Sequence, residues 1–255
     1  MATYKKRGSK KSQNQLVDKN ETPESTTAEV FETLDTSASK AEAFIAKFQT
    51  VILVVVGVVA VGVLSYLGYD RFVLTPEKKE AVNELNQAQY YFDLAVNSIE
   101  GDSLYRLALN GGEGKYGFLD ILKNYEGTPA AKLASYSAGM AYLNLKEYDK
   151  AISYLDKFET DDVLLSALSM GAIGDAFAQI GQNEDAYEYY IKASKASENL
   201  FSTPKYLFKA AMIGEEIGKE KEALSFLKKI QKEFPEAPEA ENIEIQIGRL
   251  EMALQ

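Results

Sequence analysis

An uncharged run of 22 residues constrains this chain more than any other feature of its 255-residue sequence. It lies between Lys47 and Asp70, and valine, isoleucine and leucine dominate its centre. As a helix with a rise of about 1.5 Å per residue, residues 48–69 would extend roughly 33 Å, enough to cross a hydrocarbon layer about 30 Å thick. A lone strand in lipid would leave its backbone groups without hydrogen-bond partners. The run therefore predicts one transmembrane helix over residues 48–69, in preference to a buried core helix.

Charges on either side of the run indicate how it crosses the membrane. Five basic residues lie between Lys5 and Lys11, and Lys40 and Lys47 come closer to the run. On the far side Asp70 and Arg71 cancel. Lysine and arginine concentrate on the cytoplasmic flank of membrane helices. We therefore expect a cytoplasmic N-terminus, and we expect residues beyond about 75 to lie across the membrane. The run is too long, and starts too far along the chain, for a cleaved signal peptide.

The segment before the span is expected to be a disordered tail over residues 1–38, because it is rich in Lys, Ser, Thr, Gln, Asn and Glu. Ser39, followed by Glu42 three residues later, forms a capping box, which predicts a helix over residues 39–74 that includes the span. The basic cluster from Lys5 to Lys11 is suited to anionic lipid or ribosomal RNA. The interpretation that we favour is a topology signal on a solvated tail.

Composition excludes several classes of function. The chain contains no Cys, His or Trp, so it lacks thiol and imidazole nucleophiles and the usual zinc and haem ligands. A formal net charge of −10 argues against specific nucleic-acid binding. Residues 112–117 match the G-x-G-x-x-G pattern, but no predicted strand precedes them, so a loop between helices is expected. We therefore predict a protein that is not an enzyme, with no catalytic residue, no cofactor and no metal site.

Three sets of five residues recur with the same internal offsets of +3, +9, +4 and +3. The sets are Gly139, Tyr142, Ala151, Leu155 and Phe158; Gly174, Phe177, Ala186, Tyr190 and Ala193; and Ala211, Gly214, Ala223, Leu227 and Ile230. They start 35 and 37 residues apart, which resembles the tetratricopeptide motif of about 34 residues. The first, small residue would let two antiparallel helices approach, and the aromatic residue would fill the wedge between them. Gly214 stands where an aromatic residue belongs, so looser packing is expected in the third repeat.

The predicted fold is all-α, with a single transmembrane helix followed by an α-solenoid of tetratricopeptide-type helix pairs. Residues 75–130 form its helical N-terminal part, which starts at a Thr75 cap and includes a degenerate repeat around Gly117, Ile121 and Pro129. Residues 131–237 hold the three repeats. Residues 238–255 form a C-terminal capping helix of the kind that such arrays need.

The register of the repeats also predicts a binding groove. Nine residues are expected on the concave face of the first helices: Tyr136, Ser137, Met140, Asn144, Asp175, Gln179, Lys205, Lys209 and Met212. A mixed polar and aromatic groove of this kind suits an extended peptide or a partner helix. Tyr142 and Tyr190 occupy packing positions of the motif, so we expect them in the core.

The segments 136–143, 148–155 and 171–177 carry a resemblance to a known family. With the single anchor and the repeats, the chain resembles the YfgM-like group of membrane-anchored tetratricopeptide repeat proteins, which are ancillary subunits of the SecYEG translocon. The resemblance implies the bacterial inner membrane, with the repeats in the periplasm. It also implies protein partners, namely translocon subunits, periplasmic chaperones or exported chains. The alternative function is a periplasmic scaffold that coordinates envelope assembly or cell division.

The predicted orientation is testable by protease protection. Protease added to spheroplasts should digest the chain beyond about residue 75 and should spare the N-terminal tail, because the basic flank stays in the cytoplasm. An epitope at each end, followed by immunoblotting, reads out both halves. Digestion of the tail from outside, with the repeats protected, would contradict the predicted topology.

Overall fold

The structure, a computed structural model, describes the backbone of residues 26–255 and, apart from residues 26–33, 36, 37, 40 and 41, their side chains. In this part of the chain every regular element is a helix, so the predicted all-α fold is confirmed. The chain divides into two compact units, one ending at Tyr66 and the other covering Leu67–Gln255.

The first unit is built on α1, a helix of 44 residues over Thr26–Tyr69. The large apolar side chains of the uncharged run are exposed. The helix is long and apolar enough to cross a membrane. Its backbone is already helical from Thr26 onward, whereas the sequence predicted a start at Ser39. Residues 26–38 of the predicted tail have helical backbone in the structure, and residues 1–25 lie outside the described residues.

The second unit is a succession of ten α-helices with two short turns of other helical types, counted over the described residues. Its α-helices are α2 (Thr75–Val96), α3 (Asp102–Asn110), α4 (Phe118–Asn124), α5 (Pro129–Asn144), α6 (Tyr148–Asp156), α7 (Val163–Gln179), α8 (Asn183–Ala196), α9 (Ser202–Glu216), α10 (Glu220–Glu233) and α11 (Ile243–Ala253). A π-type turn, Asp70–Leu74, precedes α2, and a 3-10 turn, Pro238–Ala240, precedes α11.

The start of α2 differs from the sequence prediction. Thr75 was expected to cap the helix, but Leu74 before it is already helical and makes no side-chain cap. Pro76 has no N–H to continue the helical hydrogen bonds, and it follows directly after the π-type turn Asp70–Leu74, where the α-helical pattern is already interrupted. The apolar face of α2 is packed, with Ala81, Leu85 and Ala88 buried.

The glycine-rich stretch 101–117 contains α3. The G-x-G-x-x-G match lies in the loop between α3 and α4, as expected, and no strand precedes it among the described residues. Gly111 takes a φ of 78°, and a Cβ there would collide with the carbonyl oxygen of Lys115, so this tight turn requires glycine. The degenerate repeat around α4 stays a prediction.

Small residues let the helices of each pair approach closely. A Cβ on Gly139 would lie 2.5 Å from Leu155 Cγ, and a Cβ on Gly174 would lie 2.7 Å from Tyr190 Cε1. These distances are shorter than carbon atoms tolerate, so α5 packs on α6, and α7 on α8, only because the side chain is absent. Ala151 and Ala186 are fully buried at the equivalent positions of the second helices.

The third pair, α9 and α10, is not loosely packed at Gly214, so that expectation is wrong. A Cβ on Gly214 would lie 3.0 Å from Tyr187 Cε2, so the ring of Tyr187 from the preceding repeat fills the space. The ring of Phe226 lies 6.3 Å away, centroid to centroid. Beyond α10, the array ends with α11, which buries Ile243, Ile247 and Leu250 against the third pair.

Glycine-to-alanine substitutions at two helical positions should change stability in opposite directions. A Cβ on Gly171 would overlap the ring of Tyr206, whereas a Cβ on Gly248 would meet nothing within 4 Å. We expect Gly171→Ala to destabilise the second unit by about 1–3 kcal/mol through overpacking. Gly248→Ala should stabilise α11 by about 0.5–1 kcal/mol, because alanine loses less backbone entropy.

The measurement is thermal unfolding of the full chain in mild detergent, followed by circular dichroism at the helical band. The two variants make the same chemical change, so their difference isolates the close approach of α7 to Tyr206. Equal melting temperatures for both variants would contradict the packing described above.

Candidate functional site

Five of the nine predicted groove residues line one open cavity of about 700 Å³. They come from three different first helices, α5, α7 and α9, and are Asn144, Asp175, Gln179, Lys209 and Met212. First helices of successive repeats thus bring together side chains that lie up to 68 residues apart in the sequence. The cavity is open to solvent along one side of the second unit, as a receptor for an extended segment requires.

The cavity has an apolar part and a polar part. Sequence reasoning missed its apolar lining, which comprises Leu143, Ala178, Phe208 and Ile213 beside Met212. Each of them is adjacent in the sequence to a predicted residue, so a wider window around the predicted face would have found them. Lys146, in the turn after α5, adds a cation, and Tyr148, the first residue of α6, adds a hydroxyl. Such a mixture can hold both the backbone amides and the apolar side chains of a peptide.

Asp175 lies at the centre of the polar contacts. Its Oδ1 accepts hydrogen bonds from the Tyr190 hydroxyl at 2.6 Å and from the Lys209 ammonium at 2.5 Å. The Lys209 ammonium also lies 5.5 Å from the centroid of the Tyr190 ring, within reach of a cation–π contact. These contacts join α7, α8 and α9 at one point, so they fix the relative positions of the groove walls.

Two buried tyrosines support this cluster and remain neutral at physiological pH. Burial raises the pKa of the Tyr190 hydroxyl above its usual value, and hydrogen bonding to Asp175 and the charge of that carboxylate raise it further. Burial and the Asp175 charge also raise the pKa of Tyr206. The two rings stack with centroids 6.4 Å apart. Tyr190 is therefore a core residue, as predicted, that also lines the groove.

Four of the predicted residues lie away from this cavity. The Ser137 hydroxyl is buried and donates to Gln89 Oε1 of α2 at 3.3 Å, because α2 packs on α5 and covers its face there. Tyr136 is half-buried against Phe158, with ring centroids 5.2 Å apart. Met140 and Lys205 are also half-buried and do not line the groove: Met140 packs near Leu155, and the Lys205 ammonium lies over the rings of Phe201 and Tyr206.

Comparison with known families agrees with this geometry. A tetratricopeptide repeat model matches residues 134–159 and 167–200, and a second one matches residues 205–237. The chain contains tetratricopeptide repeats. Each of the three residue sets recognised by their spacing lies inside one of the three matched segments.

Among solved structures, the chain resembles a Podosopora anserina putative kinesin light chain with nearly identical TPR-like repeats. The TM-score is 0.48 at 13% sequence identity, over 69% of this chain and 87% of that chain. No curated protein matches the sequence. Tetratricopeptide repeats are generally scaffolds for protein–protein interaction and not enzymes, which is the class of function that the repeats indicate. That this chain lacks enzymatic activity and binds no metal stays a prediction.

The role of the Tyr190 hydroxyl can be tested through the pH dependence of the free energy of unfolding. Tyr190→Phe removes a hydrogen bond to a carboxylate, and at neutral pH we expect it to lower the free energy of unfolding by about 1–2 kcal/mol. The folded pKa of Tyr190 is raised, so the stability linked to its protonation is complete below the unfolded pKa of about 10 and is lost as pH rises above it.

The variant should therefore lose less stability than the wild type between neutral pH and pH above about 10. Thermal unfolding by circular dichroism across that range measures the two slopes. Parallel losses of stability in the two proteins would contradict a buried, hydrogen-bonded Tyr190.

Proposed function

We propose that the chain is a single-pass protein of the bacterial inner membrane, with a cytoplasmic N-terminus and periplasmic repeats, that acts as an accessory subunit of the Sec translocon. In this role its groove binds exported chains or periplasmic chaperones, and its anchor contacts translocon subunits. The single observation that carries the proposal is the open groove at Asp175, built on the repeats of a chain that also holds a membrane-length apolar helix. The YfgM-like sequence pattern supports the choice of translocon.

The anchor supports a location in the membrane. The side chains of the run around Val51 and Leu64 are exposed, which in water would leave a large apolar surface uncovered. Lipid would cover that surface. The basic residues before the run and the lack of net charge just after it support a cytoplasmic N-terminus.

The groove suits an extended polypeptide better than a small molecule. The side-chain oxygen of Gln179, Oε1, accepts a hydrogen bond from the Tyr148 hydroxyl at 3.3 Å. This bond holds the side-chain amide of Gln179 at the groove wall. A peptide backbone can bond to such side-chain amides, while its apolar side chains contact Met212 and Phe208. Because the groove and the anchor belong to one chain, a weak contact gains from the raised effective concentration at the membrane.

Site-specific photocrosslinking in living cells tests the proposal. A photoreactive residue at Gln179 or Met212 should capture an exported chain or a periplasmic chaperone, because both side chains line the cavity. Glu188, exposed on the second helix α8 and outside the cavity, is the matched control and should give no such adduct. A photoreactive residue at Val58 in the anchor should capture translocon subunits.

The two sets of adducts use separate surfaces, so groove substitutions should weaken the first set and leave the second unchanged. Absence of anchor adducts with translocon subunits at native expression would contradict the export role. Groove adducts with envelope-synthesis or division proteins would then favour the periplasmic scaffold.

A further inference from the structure

The second unit exposes large apolar side chains beside the starts of its first helices. They are Leu133 near the start of α5, Val163 and Leu164 in the first turn of α7, and Leu200 and Phe201 just before α9. Val163, Leu200 and Phe201 are 58%, 73% and 59% exposed. None of these five residues lines the groove described above. We call this set the apolar edge.

The helix starts that carry these residues lie on the same side of the unit. A separate cavity of about 470 Å³ is lined by Leu133 of α5 together with Asp161 and Leu165 at the start of α7. Further along, Gly171 faces Tyr206, and Asp175 pairs with Lys209. From the first contact to the second, the residue numbers rise on both α7 and α9. These helices therefore run parallel and start at the same side.

The exposure of the loop residues is imposed by an ordered backbone. The side-chain oxygen of Asn199 accepts hydrogen bonds from the backbone N–H groups of Phe201, at 2.8 Å, and Ser202, at 2.7 Å. Its amide nitrogen donates to the Ser202 hydroxyl at 2.7 Å. At α7, Asp162 accepts from the backbone of Leu164 at 2.8 Å. Caps and turns thus fix the backbone that carries these exposed apolar side chains.

The polypeptide enters this unit at the same edge. Lys78, in the first turn of α2, lines the cavity shared by Leu133 and Asp161. Its ammonium lies 3.8 Å from Asp70, the residue that ends the uncharged run. The chain that follows the proposed membrane span therefore enters the second unit at the apolar edge.

We propose that the apolar edge inserts into the interfacial layer of the membrane bilayer, so that the solenoid is held against the lipid as well as tethered to it. The proposal rests on the membrane anchor of the proposed function. The side chains of the apolar edge lie on successive loops, so what covers them needs no complementary shape. A lipid interface accepts apolar side chains to a depth of about 5–10 Å. The lysines at the edge, Lys78, Lys132 and Lys205, are matched in number by Asp161, Asp162 and Glu198, so the apolar side chains, and not headgroup charge, would provide the attraction.

The absence of tryptophan from the chain makes the edge directly measurable. Single-tryptophan variants of the full chain are reconstituted in phosphatidylcholine vesicles with or without bromine on the upper part of the acyl chains. Phe201→Trp and Val163→Trp report on the edge. Gln182→Trp, in the exposed turn between α7 and α8 at the opposite ends of these helices, is the matched control, and Val58→Trp reports on the anchor.

We expect brominated lipid to quench the edge tryptophans about twofold and to leave Trp emission at position 182 unchanged. Adding phosphatidylglycerol should not alter this result, because the edge charges balance. Quenching of Val58→Trp without quenching at positions 163 and 201 would overturn the apolar edge and keep the anchor. No quenching at Val58→Trp would overturn the proposed anchor itself. Edge tryptophans that are shielded from aqueous iodide but not quenched by bromine would show that a second copy of the chain covers the edge, and would overturn lipid insertion.

Discussion

The close approach of α7 to its two neighbours is the constraint on which the described solenoid depends. Gly171 and Gly174 leave room for the rings of Tyr206 and Tyr190, which stack on each other at an interplanar angle of 13°. With its ring in that position, the Tyr190 hydroxyl reaches Asp175, and Asp175 in turn holds Lys209. Two missing side chains inside the array thus determine where the polar groups of the groove stand. Protein interiors are too closely packed to absorb even one added methyl group here without movement.

The same packing explains how a groove with few charges could recognise a polypeptide. Its walls come from three repeats, with Asp175 joining α7 to α9 and the Tyr148 hydroxyl bonding to Gln179 of α7, so they are already in place before a partner binds. A formed groove loses less conformational entropy on binding than a flexible one. The buried tyrosines stay protonated because burial raises their pKa, which keeps the Tyr190 hydroxyl donating to Asp175 throughout the physiological range. An anchor in the same chain would add the advantage of high local concentration.

Periodicity in the sequence was enough to predict the helix pairs, because small residues such as Gly139 recur wherever two helices must touch. It failed where a neighbour from outside the period intervenes. Ser137 belongs to the predicted concave face, but α2, which lies outside the repeats, covers it. Gly214 looked like a packing defect because the filling ring of Tyr187 comes from another repeat. The capping-box spacing at Ser39 predicted a helix start there, but the backbone is already helical from Thr26 onward, because a local spacing does not show whether the helix continues on its N-terminal side.

Crosslinking at Gln179 in two glycine variants tests most directly whether the packing of α7 shapes the groove. Gly171 is buried and does not line the cavity, so Gly171→Ala can affect a groove adduct only through the positions of the helices. At a temperature where circular dichroism shows both variants folded, the account predicts that Gly171→Ala strongly reduces the adduct and that Gly248→Ala leaves it intact. Equal adduct yields in the two variants would contradict the claim that this close approach builds the binding surface.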